Sequence, residues 1–115
     1  MDTFSRNELY WGKESQEKLK NSSVIIFGLG GVGSFAVEAL ARSGIGNFTV
    51  VDFDKVSQSN INRQLIALQT TVGHSKAEVT KQRILQIRSY KSIELASQNL
   101  SFCVFCHIIA HIDQI

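Results

Sequence analysis

Residues 24–33 read V-I-I-F-G-L-G-G-V-G. Four apolar residues run straight into Gly28, Gly30 and Gly33, and a helix-like segment opens at Ser34. A nucleotide-binding strand–turn–helix requires this order. Gly28 lets the chain turn sharply as it leaves the strand. Gly30 has no Cβ, so backbone can approach a phosphate. Gly33 lets the helix lie close on the strand. The first helical turn then offers unpaired N–H groups and a partial positive charge to an anion. Spaced glycines alone also suit a tight turn that binds nothing, so the flanks decide. A second β-type run at 48–51 ends at Asp52, 19 positions after Gly33. An acid that bonds a ribose hydroxyl is expected at ~20 positions.

Working outward, residues 35–42 are amphipathic, with Phe35, Val37, Ala39 and Leu40 available to pack. Gly44 is placed to cap the helix. The β-branched and aromatic run F-T-V-V-D-F-D at 48–54 suits a buried parallel strand, so 24–51 forms one βαβ unit. Asp52 and Asp54 fall at the carboxyl edge of the expected sheet, where open α/β folds bind ligands. For Asp54 a strand simply meeting solvent is a serious alternative, whereas for Asp52 the spacing favours ribose contact. Upstream, residues 4–20 read as helix broken near Gly12, with Leu9, Tyr10 and Trp11 as an apolar cluster that Leu19 continues. Arg6 just ahead of it reads as a solvated charge.

Residues 57–65, S-Q-S-N-I-N-R-Q-L, crowd donors into a short span. A guanidinium at Arg63 beside the amides of Asn60 and Gln64 suits polyphosphate recognition. A polar loop with capping side chains explains the same residues equally well. Ser75 and Glu78 match a capping box, so a helix should run from there to about Arg88. Val79, Ile84 and Ile87 are its expected buried side, and Lys81, Gln82 and Arg83 its wet side. Lys76 sits in the first turn, where a cation opposes the helix dipole. That placement hints at an anionic ligand, with a solvated lysine as the plain alternative. Residues 93–96, I-E-L-A, read as a third, edge-like strand.

Composition sets bounds. The 115 residues suffice for one domain with a core, and 43% hydrophobic against 19% charged residues marks a globular chain. A net charge of +2 is too mild to argue for a nucleic-acid surface by itself. No apolar run follows Met1 and no tract reaches the ~20 residues of a membrane helix, so a cytoplasmic protein without membrane contact is expected. There is no proline.

Taken together, G-L-G-G-V-G-S at 28–34, A-R-S-G-I-G at 41–46, D-F-D at 52–54, S-N-I-N-R-Q at 59–64 and T-V-G-H-S-K at 71–76 resemble the adenylation domain of the ThiF/MoeB/HesA superfamily, relatives of ubiquitin-activating enzymes. F-S-R-N-E-L near the N-terminus and the N-x-N-R-Q variant are most similar to the tRNA threonylcarbamoyladenosine dehydratases. The resemblance covers residues 4–87. It implies an α/β, Rossmann-like parallel sheet of which only the N-terminal, nucleotide-binding half is present, preceded by N-terminal helices.

It also implies a reaction with ATP and Mg2+, in which a carboxylate attacks the α-phosphate to give an acyl-adenylate and pyrophosphate. In the tRNA branch the carboxylate belongs to threonylcarbamoyladenosine, and activation leads to dehydration and cyclisation. In other branches it is the C-terminus of a ubiquitin-like sulfur carrier. Position by position, Gly31 approaches ATP, Asp52 holds the ribose, and Asn60, Arg63 and Gln64 meet phosphates. Lys76 neutralises the phosphate under attack, and Asp54 belongs to the same pattern. Arg6 matches an arginine that reaches the γ-phosphate of the other subunit, which implies a homodimer.

The sequence departs from the family at Ile87-Arg88-Ser89, where I-N-P is usual. Residues 1–87 are therefore expected to form an incomplete ATP-binding adenylation domain. Residues 88–115 are expected to form an unrelated tail, as after a frameshift, leaving a truncated chain, with an inactive product as one alternative. In that tail Cys103, Cys106 and His107 match a haem-attachment pattern, and with His111 they make four candidate zinc ligands. Buried cysteines or an accidental tail are preferred, so no metal site is expected from the protein. An NAD-dependent oxidoreductase is the competing reading of the glycine loop and Asp52.

Overall fold

The computed structural model describes residues 3–88 and the backbone of residues 93–96. The order of elements is α1 (Ser5–Lys20), β1 (Ser23–Phe27), α2 (Gly33–Ser43), β2 (Asn47–Val51), α3 (Lys76–Ile87) and β3 (Ile93–Ala96). The three strands form one parallel sheet in the order β1-β2-β3. Val24 stands opposite Phe48 and Phe48 opposite Ile93. This is the Rossmann-like α/β half-sheet expected from the sequence, with its short third strand in place. The candidate ligands Cys103, Cys106, His107 and His111 lie outside the described residues.

Burial follows sheet position. β2, paired on both sides, buries Phe48, Val50 and Val51. β1, paired on one side only, is half-buried along its length, and Phe27 at its end is 41% exposed. The core joins Phe48 and Val50 to Val37 and Ala41 of α2, Ala77 and Ile84 of α3, and Leu29 of the glycine turn.

The α2 surface turned inward differs from the expected one. Ser34, Val37 and Ala41 are buried, whereas Phe35 and Ala39 are exposed. Buried positions 34, 37 and 41 keep the three-and-four spacing of a single helical face, which Phe35 and Ala39 do not share. On α3, Ile84 is fully buried and Val79 and Ile87 half-buried, as expected. Arg83 is not on a free wet face. Its Nε and Nη2 donate to Glu38 of α2, both at 2.9 Å. Glu38 also accepts from Arg42 Nε at 2.8 Å, so one carboxylate ties two helices together. Hydrogen bonding from Arg83 holds the Glu38 carboxyl below its usual range, against the opposing effect of burial.

Helix α1 breaks at Gly12, whose φ of 86° and ψ of 161° leave the helical region. The break explains why Leu9, Tyr10 and Trp11 fail to join the core. Leu9 and Tyr10 are each 87% exposed, and Tyr10 meets Trp11 edge-on at 5.9 Å between ring centres. The second half docks through buried Gln16 and half-buried Leu19. Gly46 donates to Leu19 O, and a Cβ on Gly46 would stand 1.7 Å from Lys20 O. The end of α1 is therefore pressed against the α2–β2 connection. Gly44, at φ 97°, closes α2 as expected.

Candidate functional site

Four segments meet at the carboxyl edge of the sheet. The first is the glycine turn. Gly28 takes φ 85°, and its N–H donates to Val51 O at 2.8 Å, so the turn starts bonded to the end of β2. A Cβ on Gly33 would stand 1.8 Å from Gly28 O. The fold itself therefore demands these two glycines. Gly30 and Gly31 are different. Neither has a positive φ, and the nearest atoms to an added Cβ are Gln64 Nε2 at 3.8 Å and Arg63 O at 3.6 Å, ordinary contact distances. Among the described residues nothing in the packing requires their bare backbone, whereas a ligand lying on it would. The first turn of α2 also lacks a side-chain cap.

The second segment is the end of β2. Asp52 accepts Leu29 N–H through Oδ2 and Asp54 N–H through Oδ1, both at 2.8 Å. Its carboxylate thus pins the glycine turn, and each oxygen keeps a further lone pair for a hydroxyl. Phe27, Gly28, Val51, Asp52, Phe53 and Asp54 line a cleft of about 290 Å³. That volume lies near the low end of ligand sites, roughly 300 Å³ upward. Asp54 and Phe53 are exposed at its mouth.

The third segment is the polar run. Gln58–Asn60 forms a 3-10 turn in which Asn60 Oδ1 accepts Ser57 N–H at 2.9 Å. The capping reading of Asn60 is thus what the structure shows. Arg63 is exposed, with Nη1 donating to Ser59 O and Asn62 Oδ1, both at 3.0 Å, and its stem runs beside Gly31. Gln64 is 7% exposed and its Oε1 has no partner among the described residues.

The fourth segment brings Lys76. Lys55 and Ser75 form an antiparallel bridge, Val56 N–H donates to His74 O, and Lys76 N–H donates to Asp54 O at 3.0 Å. These bonds seat the start of α3 at the end of β2, with Ser75 capping Glu78 N–H as expected. Lys76 is only 7% exposed, so its stem is packed into the fold and not spread over the surface. Its ammonium makes no ion pair or side-chain hydrogen bond among the described residues. The stem is packed while the ammonium itself reaches solvent at this edge, the arrangement of a long side chain that buries its methylenes and presents its charge.

Arg6 is not brought to this edge. The first turn of α1 lies against the end of α2, where Asn7 Nδ2 donates to Arg42 O at 3.1 Å. A cleft of about 340 Å³ does sit there, lined by Phe4, Arg42 and Arg83 among others. Both α2 and α3 end toward it, and their carbonyl ends disfavour an anion. Sequence reading missed two bonds, that of Asp52 to Leu29 N–H and that of buried Ser34, whose Oγ accepts Leu65 N–H at 3.2 Å. A serine in the first helical turn after a glycine loop was the available signal for Ser34.

A parallel half-sheet with a glycine turn, a strand-end aspartate and cationic and amide side chains gathered at its carboxyl edge defines a Rossmann-like α/β protein. Comparison with known proteins narrows the class. The sequence pattern of the ThiF family matches residues 4–115, and the chain belongs to that family. This match continues through residues 88–115, beyond residue 87 where the motifs stop.

The chain is 60% identical over 84 residues to a tRNA threonylcarbamoyladenosine dehydratase of Bacillus subtilis, covering 73% of this chain and 33% of that protein. It is 40% identical over 100 residues to a molybdopterin-synthase adenylyltransferase of Haemophilus influenzae, covering 87% and 41%. The structure of an Escherichia coli tRNA N6-threonylcarbamoyladenosine dehydratase in complex with ATP superposes with a TM-score of 0.87 at 34% identity, over 94% of this chain and 44% of that one. The chain thus spans about a third of the length of the curated dehydratases it matches. No helix among the described residues is long and apolar enough to cross a membrane.

Proposed function

We propose that this chain carries the ATP-binding half of a carboxylate-adenylating site, of the kind used by tRNA threonylcarbamoyladenosine dehydratases. One observation carries the reading. Gly30 and Gly31 have bare backbone that the fold does not need, beside Gln64 and Arg63. Lys76, whose packed stem carries an ammonium without an ion pair among the described residues to the same sheet edge, supports it.

In this reading the ribose takes the free lone pairs of Asp52, and the purine lies in the cleft beside Phe53. The N–H groups of the glycine turn, with Gly28 and Gly33 shaping it, receive the phosphates. Arg63 and Gln64 contact the triphosphate from the opposite side, and the Nδ2 of Asn60, left over from its capping bond, joins them. Lys76 neutralises the phosphate that a carboxylate attacks, as pyrophosphate departs. Catalysis of this type is positioning and charge stabilisation. Mg2+ accompanies the triphosphate, and Asp54 is the exposed carboxylate suited to its hydration shell.

The carboxylate is assigned to threonylcarbamoylated tRNA because identity is higher to the dehydratase than to the molybdopterin-synthase adenylyltransferase. The C-terminus of a ubiquitin-like sulfur carrier is the alternative that the latter suggests. Arg6, remote from the edge in its own chain, acts across a homodimer in the cytoplasm. Residues 1–87 form the nucleotide-binding unit, and the share of relatives covered implies that adenylation needs more than this chain holds.

Calorimetric titration of the chain with ATP and NAD tests the reading. ATP should bind and NAD should not, and Lys76→Met should weaken ATP binding at least tenfold while leaving the fold intact. NAD binding without ATP binding would sink it. Pyrophosphate exchange with modified tRNA or with a sulfur carrier separates the two carboxylates.

A further inference from the structure

We propose that Ser34 is a positioning residue for the phosphate site, its hydroxyl setting the separation between the glycine turn and the 60–65 turn. The inference rests on the ATP reading above. Ser34 lies in the first turn of α2 and is 1% exposed. Its Oγ donates to Gly30 O and accepts Leu65 N–H at 3.2 Å. Among the described residues, this is the one hydrogen-bonded link between the two segments.

The link stands where alignment matters. Gly30 faces Gln64 Nε2, and Gly31 lies along the stem of Arg63. One side would receive phosphate on backbone N–H groups, the other on a guanidinium and an amide. Both grip the same ligand only at one separation, and a displacement of about 1 Å can cost two orders of magnitude in such sites. Alanine at 34 would leave Leu65 N–H unpaired and release the turn. The hydroxyl thus acts through Arg63 and Gln64 without touching the ligand.

Ser43, near the other end of the same helix, provides a built-in control. Its Oγ donates to Ala39 O at 2.8 Å, the same four-residue back-bond, but that hydroxyl links to no other segment among the described residues.

The test measures ATP and adenosine affinity by calorimetry, and thermal unfolding without ligand, for the unsubstituted full chain, Ser34→Ala, Ser34→Cys and Ser43→Ala. Ser34→Ala should weaken ATP binding about tenfold and adenosine binding far less, since adenosine lacks the phosphates. Ser34→Cys, similar in volume but a poorer hydrogen-bonding group, should fold as the unsubstituted chain does and fall between the two in ATP affinity. Ser43→Ala should stay within about twofold. If Ser34→Ala binds ATP normally, or loses ATP and adenosine equally, the positioning role is overturned and the ATP reading stands. If the unsubstituted chain binds no ATP, both fall.

Discussion

Two glutamines, each 7% exposed, sit at opposite ends of the fold and are treated in opposite ways. Gln16, where α1 docks, uses both ends of its amide. Oε1 accepts Trp11 Nε1–H at 2.7 Å, and Nε2 donates to Ser43 O at 3.0 Å. Gln64, at the carboxyl edge, keeps Oε1 without a partner. A buried polar atom left unpaired costs about 1–3 kcal/mol. One end of the molecule has therefore met its own hydrogen-bonding needs, and the other has left them open beside a bare glycine turn. The difference teaches where stability ends and binding begins.

Glycines give the largest test of that contrast. Gly46→Ala would press a Cβ to 1.7 Å from Lys20 O, and Gly33→Ala would press one to 1.8 Å from Gly28 O. Each should cost about 3 kcal/mol or more, read by chemical denaturation, because backbone must move. Gly31→Ala meets nothing closer than 3.6 Å and should unfold at nearly the same denaturant concentration, while losing ATP in titration. Equal destabilisation by Gly31→Ala would erase the contrast between glycines of the fold and glycines of the site.

The glutamines themselves come next. Gln16→Ala strands two partners and should lose about 2–3 kcal/mol. Gln64→Leu removes an unpaired group and should be neutral or stabilising while weakening ATP binding. A thermal melt beside a titration reads both, and a Gln64→Leu chain that melts like Gln16→Ala would break the comparison.

The ionic clamp at the stable end gives a smaller effect with a pH signature. Glu38 is a carboxylate whose folded-state value lies below its usual 4.5. Its contribution is therefore fully present above about pH 4.5 and is lost as pH falls through the lowered folded-state value. Glu38→Gln should cost about 1 kcal/mol at neutral pH, discounted for the exposure of Arg42, and should flatten the acid limb of a stability–pH curve. An unchanged acid limb would remove Glu38 as its source.

Smallest is Thr80, 1% exposed with Oγ1 unpaired among the described residues, on α3 one turn beyond Lys76. Thr80→Val should shift stability by no more than about 1 kcal/mol, toward stabilisation, with ATP binding unchanged. A loss of ATP affinity there would extend the open end of the molecule into α3.

Much of the fold was legible because its signals are local. The break at Gly12, the cap at Gly44 and the Ser75 cap of α3 each depend on residues within a few positions, and each stands where it was expected, although only the Ser75 half of the Ser75–Glu78 box forms. Faces were less legible. Phe35 looked like a core residue and Arg83 like a surface one, yet Phe35 is 53% exposed and Arg83 is tied to Glu38, 45 positions away in sequence. Periodicity says that a helix has an inner face but not which neighbour lies there.

For the site, spacing singled out Gly28, Gly30, Gly33 and Asp52, whereas Asn60, Arg63, Gln64 and Lys76 remained open between ligand contacts and ordinary polar surface. Family resemblance, not spacing, assigned them roles. By itself the sequence determined the half-sheet and the glycine turn, because backbone conformation at a turn or cap is set by the residues that occupy it. Only the tertiary structure decided which groups are left unpaired. The partners of Lys76 and Gln64, or their lack, depend on how distant segments converge, and no local pattern records that. The same convergence made Ser34, an unremarked residue in the glycine motif, the hydrogen-bonded link between the two sides of the site.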